Sequence, residues 1–172
     1  MNAQTIRQII QMYEGGQVER CHTLPHHGSY SVAQHSFNML LLMEALHPDP
    51  SKELYSAILR HDLFERWTGD TPTCAKMVMP QLRPDLEEAD RILSDRTGIH
   101  IPTVEGDDKR WMKALDWLEF LMWVDYQIGL GYRALEGKRT TVLTGMGDLD
   151  LPKPVREFLE YYRWQRTDDV PS

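Results

Sequence analysis

The chain has 172 residues, of which 41% are hydrophobic and 26% are charged. This length predicts one domain with its own hydrophobic core, and the composition is typical of a globular protein rather than of a disordered or fibrous one. A net charge of −7 gives no overall basic field, so we expect no binding to long nucleic acid or to an anionic membrane surface. Two cysteines without C-x-x-C spacing, no signal peptide and no long apolar segment favour a reducing, cytoplasmic setting.

Apolar residues in the N-terminal half recur at helical spacing. The stretch TIRQIIQMYEGG predicts an N-terminal helix within residues 1–17, followed by a polar loop that contains three histidines. Ser31 is the predicted N-cap of a second helix, with Gln34 in the capping-box position. A third helix is predicted over DPSKELYSAILRHDLFERW, with Asp49 as its cap and Pro50 as its first residue.

The C-terminal half shows the same helical period. TCAKMVM predicts a short helix with Thr71 as its cap and Pro72 first, and RPDLEEADRILSDRTGI predicts a helix that ends before Gly98. The longest segment, DDKRWMKALDWLEFLMWVDYQIGLGYRALEGK, is apolar on most sides and is therefore expected at the centre of the fold. KPVREFLEYYRWQR predicts a last helix, and residues 167–172 are expected to form a flexible tail. Since no segment alternates like a strand, we predict an all-α, single-domain helical bundle.

Five polar residues stand in apolar helical surroundings. His35 lies on the inward stripe of the second helix, where a single histidine is most simply a core residue with one hydrogen bond. The adjacent pair His61 and Asp62 is, by itself, most simply a structural ion pair. Asp116 and Asp125 each place a carboxylate among apolar residues of the long helix, where an ionised group needs a cation, hydrogen bonds or a shifted pKa. Imidazoles and carboxylates together suit a transition-metal ion.

In order and type, His35, the His61–Asp62 pair and Asp116 resemble the H…HD…D signature of the HD-domain metal-dependent phosphohydrolases. The stretches SVAQHS, RHDLFERWTGDTPTCAK and KALD resemble motifs of the small 5′-deoxynucleotidases and the phage dATP triphosphohydrolases, over about residues 18–135. The resemblance implies an HD-type bundle in which these four residues bind a metal; the K-x-x-D spacing favours Asp116 over the rival aspartate. This donor set suits Zn, Co, Mn, Ni or Fe, and Mg²⁺ could accompany the substrate phosphates.

The resemblance also implies roles for residues around the metal. Glu65 and Asp70 correspond to carboxylates that orient or deprotonate the attacking water or protonate the leaving oxygen. Without the resemblance, Glu65 reads as a solvated charge at a helix end and Asp70 as a turn former. Arg20, Lys76 and Lys113 match the pattern R-x…K…K-x-x-D and would contact the phosphates, since cations there offset developing negative charge.

The implied activity is hydrolysis of a deoxynucleotide at its 5′ phosphate ester. The short chain, the compact loop before His35 and the pair Lys76 and Lys113 favour dATP, cleaved to deoxyadenosine and triphosphate. The loop ERCHTLPHHGSY would form the base pocket, with Cys21 where relatives often have an aromatic residue. A 5′-deoxynucleotidase acting on deoxynucleoside monophosphates is the first alternative. The alternative of another class is a non-catalytic nucleotide-binding module with a structural metal.

Two expectations concern assembly and location. Five tryptophans in a short chain favour an apolar subunit contact, and the resemblance implies a homo-oligomer, either a dimer or a hexamer. No membrane partner is expected, and a phage-encoded version would act in the host cytoplasm.

Overall fold

A computed structural model describes residues 1–168 of the chain, with side chains described through residue 162. These residues form nine α-helices and a short 3-10 turn and contain no β-strand, which confirms the predicted all-α class. The helices are α1 (Ala3–Gly15), α2 (Val32–Leu46), α3 (Lys52–Arg60), α4 (Glu65–Thr68), α5 (Thr73–Val78), α6 (Leu82–Thr97), α7 (Gly106–Gly129), α8 (Glu136–Gly147) and α9 (Lys153–Asp168). None of them is long and apolar enough to cross a membrane.

The chain packs into two compact units. Unit 1 comprises Met1–Phe37 and Ser56–Thr103, and unit 2 comprises Asn38–Tyr55 and the chain from Val104 onwards. Unit 1 therefore holds α1, the first turns of α2, the end of α3, and α4 to α6. Unit 1 also contains the candidate site residues of the stretch RHDLFERWTGDTPTCAK, which are His61, Asp62, Glu65, Asp70 and Lys76.

Helix ends in unit 1 follow the predicted signals at two positions. The Ser31 hydroxyl accepts a hydrogen bond from Gln34 N at 3.2 Å, so Ser31 caps α2 as predicted. Gly98 follows α6 with φ of +66°, the left-handed conformation that glycine adopts without strain, and its N–H bonds to Ser94 O at 2.8 Å. At α5 the prediction of a Thr71 cap was wrong, because that helix begins at Thr73 and Pro72 holds the cap position without a side-chain bond.

The predicted start of the third helix was also wrong. Ser51, rather than Asp49, caps α3: its hydroxyl accepts from Leu54 N at 2.9 Å and donates to Asp108 Oδ2 at 2.6 Å. The Ser51 hydroxyl lies one residue before the helix and uses both its hydrogen and its oxygen in hydrogen bonds. Asp49 lies three residues before the helix, too far to cap its first N–H groups.

Unit 2 is built around α7, as the apolar character of that segment predicts. This helix packs against α8 and α9. It ends at Gly129, well before Lys138, and Gly131 has φ of +99°, so the long segment is not one helix. Helix α8 has no counterpart among the helices predicted from the sequence. In α8, Gly145 lies against the Trp117 ring, and a Cβ at Gly145 would approach two ring atoms to 2.4 Å.

At the C-terminus, α9 extends to Asp168, so Thr167 and Asp168 of the predicted tail are helical. The rest of that predicted tail, residues 169–172, lies outside the described residues.

Candidate metal centre and active site

The segment between α3 and α4 departs from regular α-helix where the His61–Asp62 pair lies. The last α-type bond joins His61 N to Ala57 O at 2.8 Å. The following bonds span three residues, as in Leu63 N to Arg60 O and Glu65 N to Asp62 O, both at 3.0 Å. Such a 3-10 stretch inside a helical run changes the direction of successive side chains, and it often occurs at functional sites. The predicted continuous helix is therefore interrupted at this pair.

Three predicted ligands form one group in unit 1. One ring nitrogen each from His35 and His61 and one carboxylate oxygen of Asp62 lie within 4.8 Å of one another, and these residues could hold a metal ion. The two imidazole rings have centroids 5.3 Å apart. His35 is completely buried, whereas His61 and Asp62 are partly accessible. The group is therefore open to solvent on one side and closed on the other.

Hydrogen bonds orient both imidazole rings. His61 Nδ1 lies 2.8 Å from Ile58 O; because a carbonyl oxygen can only accept, Nδ1 carries the proton and Nε2 is the nitrogen that could bind a metal. His35 Nδ1 lies 3.3 Å from the hydroxyl of the buried Tyr30. Partners on the second ring nitrogen fix the orientation of histidine ligands in metal sites. Both histidines therefore have the support that a metal ligand needs.

Asp62 lies between the His61 ring and the guanidinium of Arg20. His61 Nε2 lies 3.2 Å from Asp62 Oδ2, and Arg20 Nη1 forms an ion pair with the same oxygen. Burial raises the pKa of Asp62, but the opposing effects of His61, Arg20 and His35 are larger together and lower it well below its usual range. Asp62 is thus a carboxylate at neutral pH, as a metal ligand must be.

The loop between α1 and α2 is tied to the site at both ends. Arg20 N donates to Tyr30 O at 2.7 Å, and the Arg20 guanidinium lies 5.5 Å from the centre of the Tyr30 ring. Glu19 accepts from Tyr30 N at 2.7 Å and from Ser29 Oγ at 2.8 Å. These bonds close the loop on itself, so Arg20 reaches Asp62 from a fixed backbone.

Asp70 connects the turn after α4 to the same loop. Its Oδ2 accepts from Cys21 N at 2.7 Å and lies 3.7 Å from His22 Nδ1. Cys21 has φ of +55°, a left-handed conformation that is strained for a residue with a side chain. The bond from Asp70 stabilises that conformation, so Asp70 positions the loop; its predicted catalytic role stays a prediction.

Glu65 and Lys76 belong to the same electrostatic environment. Burial, with the negative charges of Asp62 and Asp70, raises the pKa of Glu65 to about 8, and Arg20 and Lys76 partly oppose this. Glu65 Oε2 is buried without a hydrogen-bond partner among the described residues. A buried carboxyl group that carries a proton near neutral pH can serve as an acid or, after losing the proton, as a base.

The raised pKa of Glu65 predicts a pH-dependent stability of the metal-free protein. A group whose folded pKa of about 8 exceeds its unfolded pKa of 4.5 binds more protons when folded. Its contribution to the free energy of unfolding is therefore complete at low pH and is lost as the pH rises through this window, by at most about 1.4 kcal/mol per pH unit. In Glu65→Gln, urea unfolding with chelator present should show a smaller decline between pH 5 and 8.

The exposed carboxylate of Glu160 on α9 supplies the control. The Glu160→Gln variant should follow the wild-type pH profile. If the free energy of unfolding changed with pH equally in wild type and in Glu65→Gln, the raised pKa of Glu65 would be contradicted.

The predicted residues in unit 2 have partners of their own. Asp116 is half-buried on α7, and its place in the ligand set stays a prediction. Lys113 is exposed, with Nζ 5.6 Å from the centre of the Trp117 ring. Asp125, the rival candidate, is 2% exposed and pairs with Arg139 Nε at 2.6 Å. This ion pair accounts for Asp125 as a structural carboxylate.

Two residues near the metal group were not identified from the sequence. From the sequence, Tyr30 is only the last residue of a loop. Its hydrogen bond with His35 depends on how that loop folds back, which no local pattern indicates. Asp90 on α6 is half-buried, and burial with the negative charge of Asp62 raises its pKa, while Lys76 lowers it. In the sequence Asp90 looks like its exposed neighbours Glu87 and Glu88, so no local signal could have distinguished it.

Comparison with known proteins gives a likeness of fold. No family model matches the chain, and no curated protein matches it. Among solved structures, the chain is similar to the crystal structure of PH0347 protein from Pyrococcus horikoshii OT3, with a TM-score of 0.62 and 18% sequence identity. The match covers 91% of this chain and 96% of the other. At this identity the likeness shows a shared fold and carries no functional assignment.

Proposed function

We propose that this protein is a metal-dependent phosphohydrolase that cleaves the 5′ phosphate ester of a deoxynucleotide, with dATP as the substrate and deoxyadenosine and triphosphate as products. The observation that carries the proposal is the group His35, His61 and Asp62, whose donor atoms lie within 4.8 Å of one another. Glu65 lies three residues after Asp62, and its N–H donates to Asp62 O at 3.0 Å. A metal that was only structural would not need a buried, partly protonated carboxyl group beside it.

The donor set fits a transition-metal ion such as Zn, Co, Mn or Ni, because two imidazoles and a carboxylate match the ligands that these ions prefer. The family resemblance adds Asp116 as a fourth ligand. When bound, such an ion makes coordinated water more acidic and polarises phosphorus–oxygen bonds.

The chain's own residues supply proton transfer and positive charge. In the hydrolysis, the water oxygen forms a bond to the α-phosphorus, the bond from that phosphorus to O5′ breaks, and a proton reaches O5′. Glu65 can take up and deliver this proton, and Asp70 is the second candidate of the same kind. Lys76, whose charge acts on Glu65, and Arg20 can offset the negative charge of the phosphates. The resemblance assigns Lys113 to the phosphates and Cys21 to the base pocket.

One observation favours the alternative of a nucleotide-binding module with a structural metal. The ion pair between Arg20 and Asp62 already neutralises one ligand from within the chain. In a nucleotide-binding module with a structural metal, Arg20 would stabilise the metal site through this ion pair and would not contact a phosphate.

A panel of nucleoside mono- and triphosphates tests the proposal. The chain is incubated with each nucleotide and with Co²⁺, Mn²⁺ or Zn²⁺, and the products are separated by chromatography. We expect metal-dependent conversion of dATP to deoxyadenosine and triphosphate, and loss of turnover with a chelator. Release of single phosphates from dAMP would instead establish the 5′-deoxynucleotidase. Stoichiometric metal without turnover of any nucleotide would contradict hydrolysis and favour the binding module.

A further inference from the structure

Helix α1 presents its apolar side to solvent. Ile6, Ile9, Ile10 and Tyr13 have exposed fractions of 46%, 48%, 50% and 71%. Their spacing of three, four and seven residues places them within an arc of about 100° on one face of the helix. We name these four residues the α1 stripe. Large apolar side chains that form a continuous stripe on the surface usually mark an interaction site.

The opposite side of α1, which faces unit 1, is mostly polar or small, and the half-buried Met12 is its one large apolar side chain. Gln8 Nε2 donates to Thr97 O at 3.0 Å, at the end of α6. Gly15 is buried, and a Cβ there would come within 2.7 Å of Leu63 O. An amphipathic helix normally buries its apolar face, and α1 does the reverse. Since the polar side is already engaged within unit 1, α1 cannot simply rotate to hide the stripe.

We propose that the α1 stripe is the interface at which two copies of this chain form a symmetric dimer, with the two α1 helices antiparallel. The stripe has a symmetric spacing about the point between Ile9 and Ile10. A two-fold axis at that point places Ile9 of one copy against Ile10 of the other, and Ile6 against Tyr13. One surface therefore complements itself, as a closed dimer requires.

The charges beside the stripe agree with this arrangement. Arg7 and Glu14 lie on the same edge of α1, seven residues apart. In the antiparallel pair, Arg7 of one copy lies about 3 Å along the helix axis from Glu14 of the other, and symmetry repeats the pair. Both contacts of Arg66 with Glu14 go to Oε2, so neither of them uses Oε1. A parallel two-fold arrangement would place the edges that carry Arg7 and Glu14 on opposite sides of the contact, so these charges could not pair.

The inference does not depend on the proposed catalytic function, and its test uses oligomeric state. Sedimentation equilibrium of the full chain at micromolar concentration should give a dimer. Ile10→Glu places two carboxylates near the two-fold axis and should weaken the dimer by about a hundredfold or more. Ile92→Glu, an exposed position on α6 outside the stripe, should leave the dimer intact. Circular dichroism of both variants should match the wild type, since both side chains are on the surface.

Charge reversal and cross-linking test the orientation. Arg7→Glu should weaken the dimer, because it places a carboxylate beside Glu14 of the other copy. In a mixture of Ile6→Cys and Tyr13→Cys chains, a disulfide should join position 6 of one copy to position 13 of the other. Ile6→Cys alone should not link to itself, because the two copies of that residue are about 10 Å apart along the axis. A monomeric chain, a dimer that tolerates Ile10→Glu, or self-linked Ile6→Cys would each overturn the proposal.

Discussion

Replacing Asp62 with alanine is expected to abolish metal binding and nucleotide turnover while the helical content stays close to that of the wild type. The variant removes one of the three donors that the structure brings together, and it leaves His35 and His61 without a negative partner for a divalent ion. Loss of a charged ligand lowers metal affinity strongly, and turnover should fall to the level of the metal-free protein. Elemental analysis, isothermal titration with Mn²⁺ or Co²⁺ and the nucleotide assay measure the three effects.

The helical content should persist because Asp62 lies in the turn between α3 and α4 and contributes no buried apolar surface. Arg20 loses its ion-pair partner while its side chain is only 13% exposed, so we expect a lower free energy of unfolding without loss of the helices. The matched control is Asp95→Ala on α6, a solvent-exposed aspartate that should retain metal and activity. Full metal content or full activity in Asp62→Ala would remove the His61–Asp62 pair from the mechanism.

The second large effect is expected for Arg139→Ala, which should lower the free energy of unfolding by about 3 kcal/mol at neutral pH. Asp125 on α7 is 2% exposed, its Oδ1 bonds to Arg139 at 2.6 Å, and its Oδ2 has no partner among the described residues. Removing the guanidinium leaves a buried carboxylate without compensation, which costs much more than the loss of a surface pair. Urea unfolding followed by tryptophan fluorescence measures the difference.

Arg133→Ala is the control, since Arg133 forms a surface pair with Glu136 and its side chain is 81% exposed; its effect should stay below about 1 kcal/mol. Metal content should be unchanged in both variants. If Arg139→Ala lost its metal at a stability equal to that of the wild type, Asp125 would be a functional carboxylate rather than a structural one.

Local sequence signals determined much of the helical framework. The Ser31 cap, the end of α6 before Gly98 and the apolar character of α7 are readable from residues that are close together in the chain, and the structure confirms each. The signals failed where two candidates stood close together. Asp49 and Ser51 can both cap a helix by their chemistry, and only the carboxylate of Asp108, distant in sequence, decides for Ser51. The apolar pattern of the long segment continues past Gly129, so the pattern does not show that α7 ends there.

In the candidate site, too, some features follow from local sequence and others from contacts between distant segments. Residue types and their order singled out His35, His61 and Asp62 as a ligand set, because imidazoles and a carboxylate in apolar surroundings need a cation or a partner. Their approach within 4.8 Å depends on the 3-10 stretch after Arg60 and on the loop that carries Tyr30, and neither has a local signature. The same holds for Arg20 on Asp62 and for Asp70 on Cys21, which join segments more than 40 residues apart.

The sequence by itself determined that the chain is all-α, and it identified which polar residues are too costly to bury without a partner. Tertiary structure alone decided which residues those partners are: Tyr30 for His35, Arg20 for Asp62 and Arg139 for Asp125. It alone showed that α1 turns its apolar side outward. The physical reason is that helix formation depends on neighbours within a few residues, whereas hydrogen bonds, ion pairs and the burial of a given face depend on segments that only the folded chain brings together.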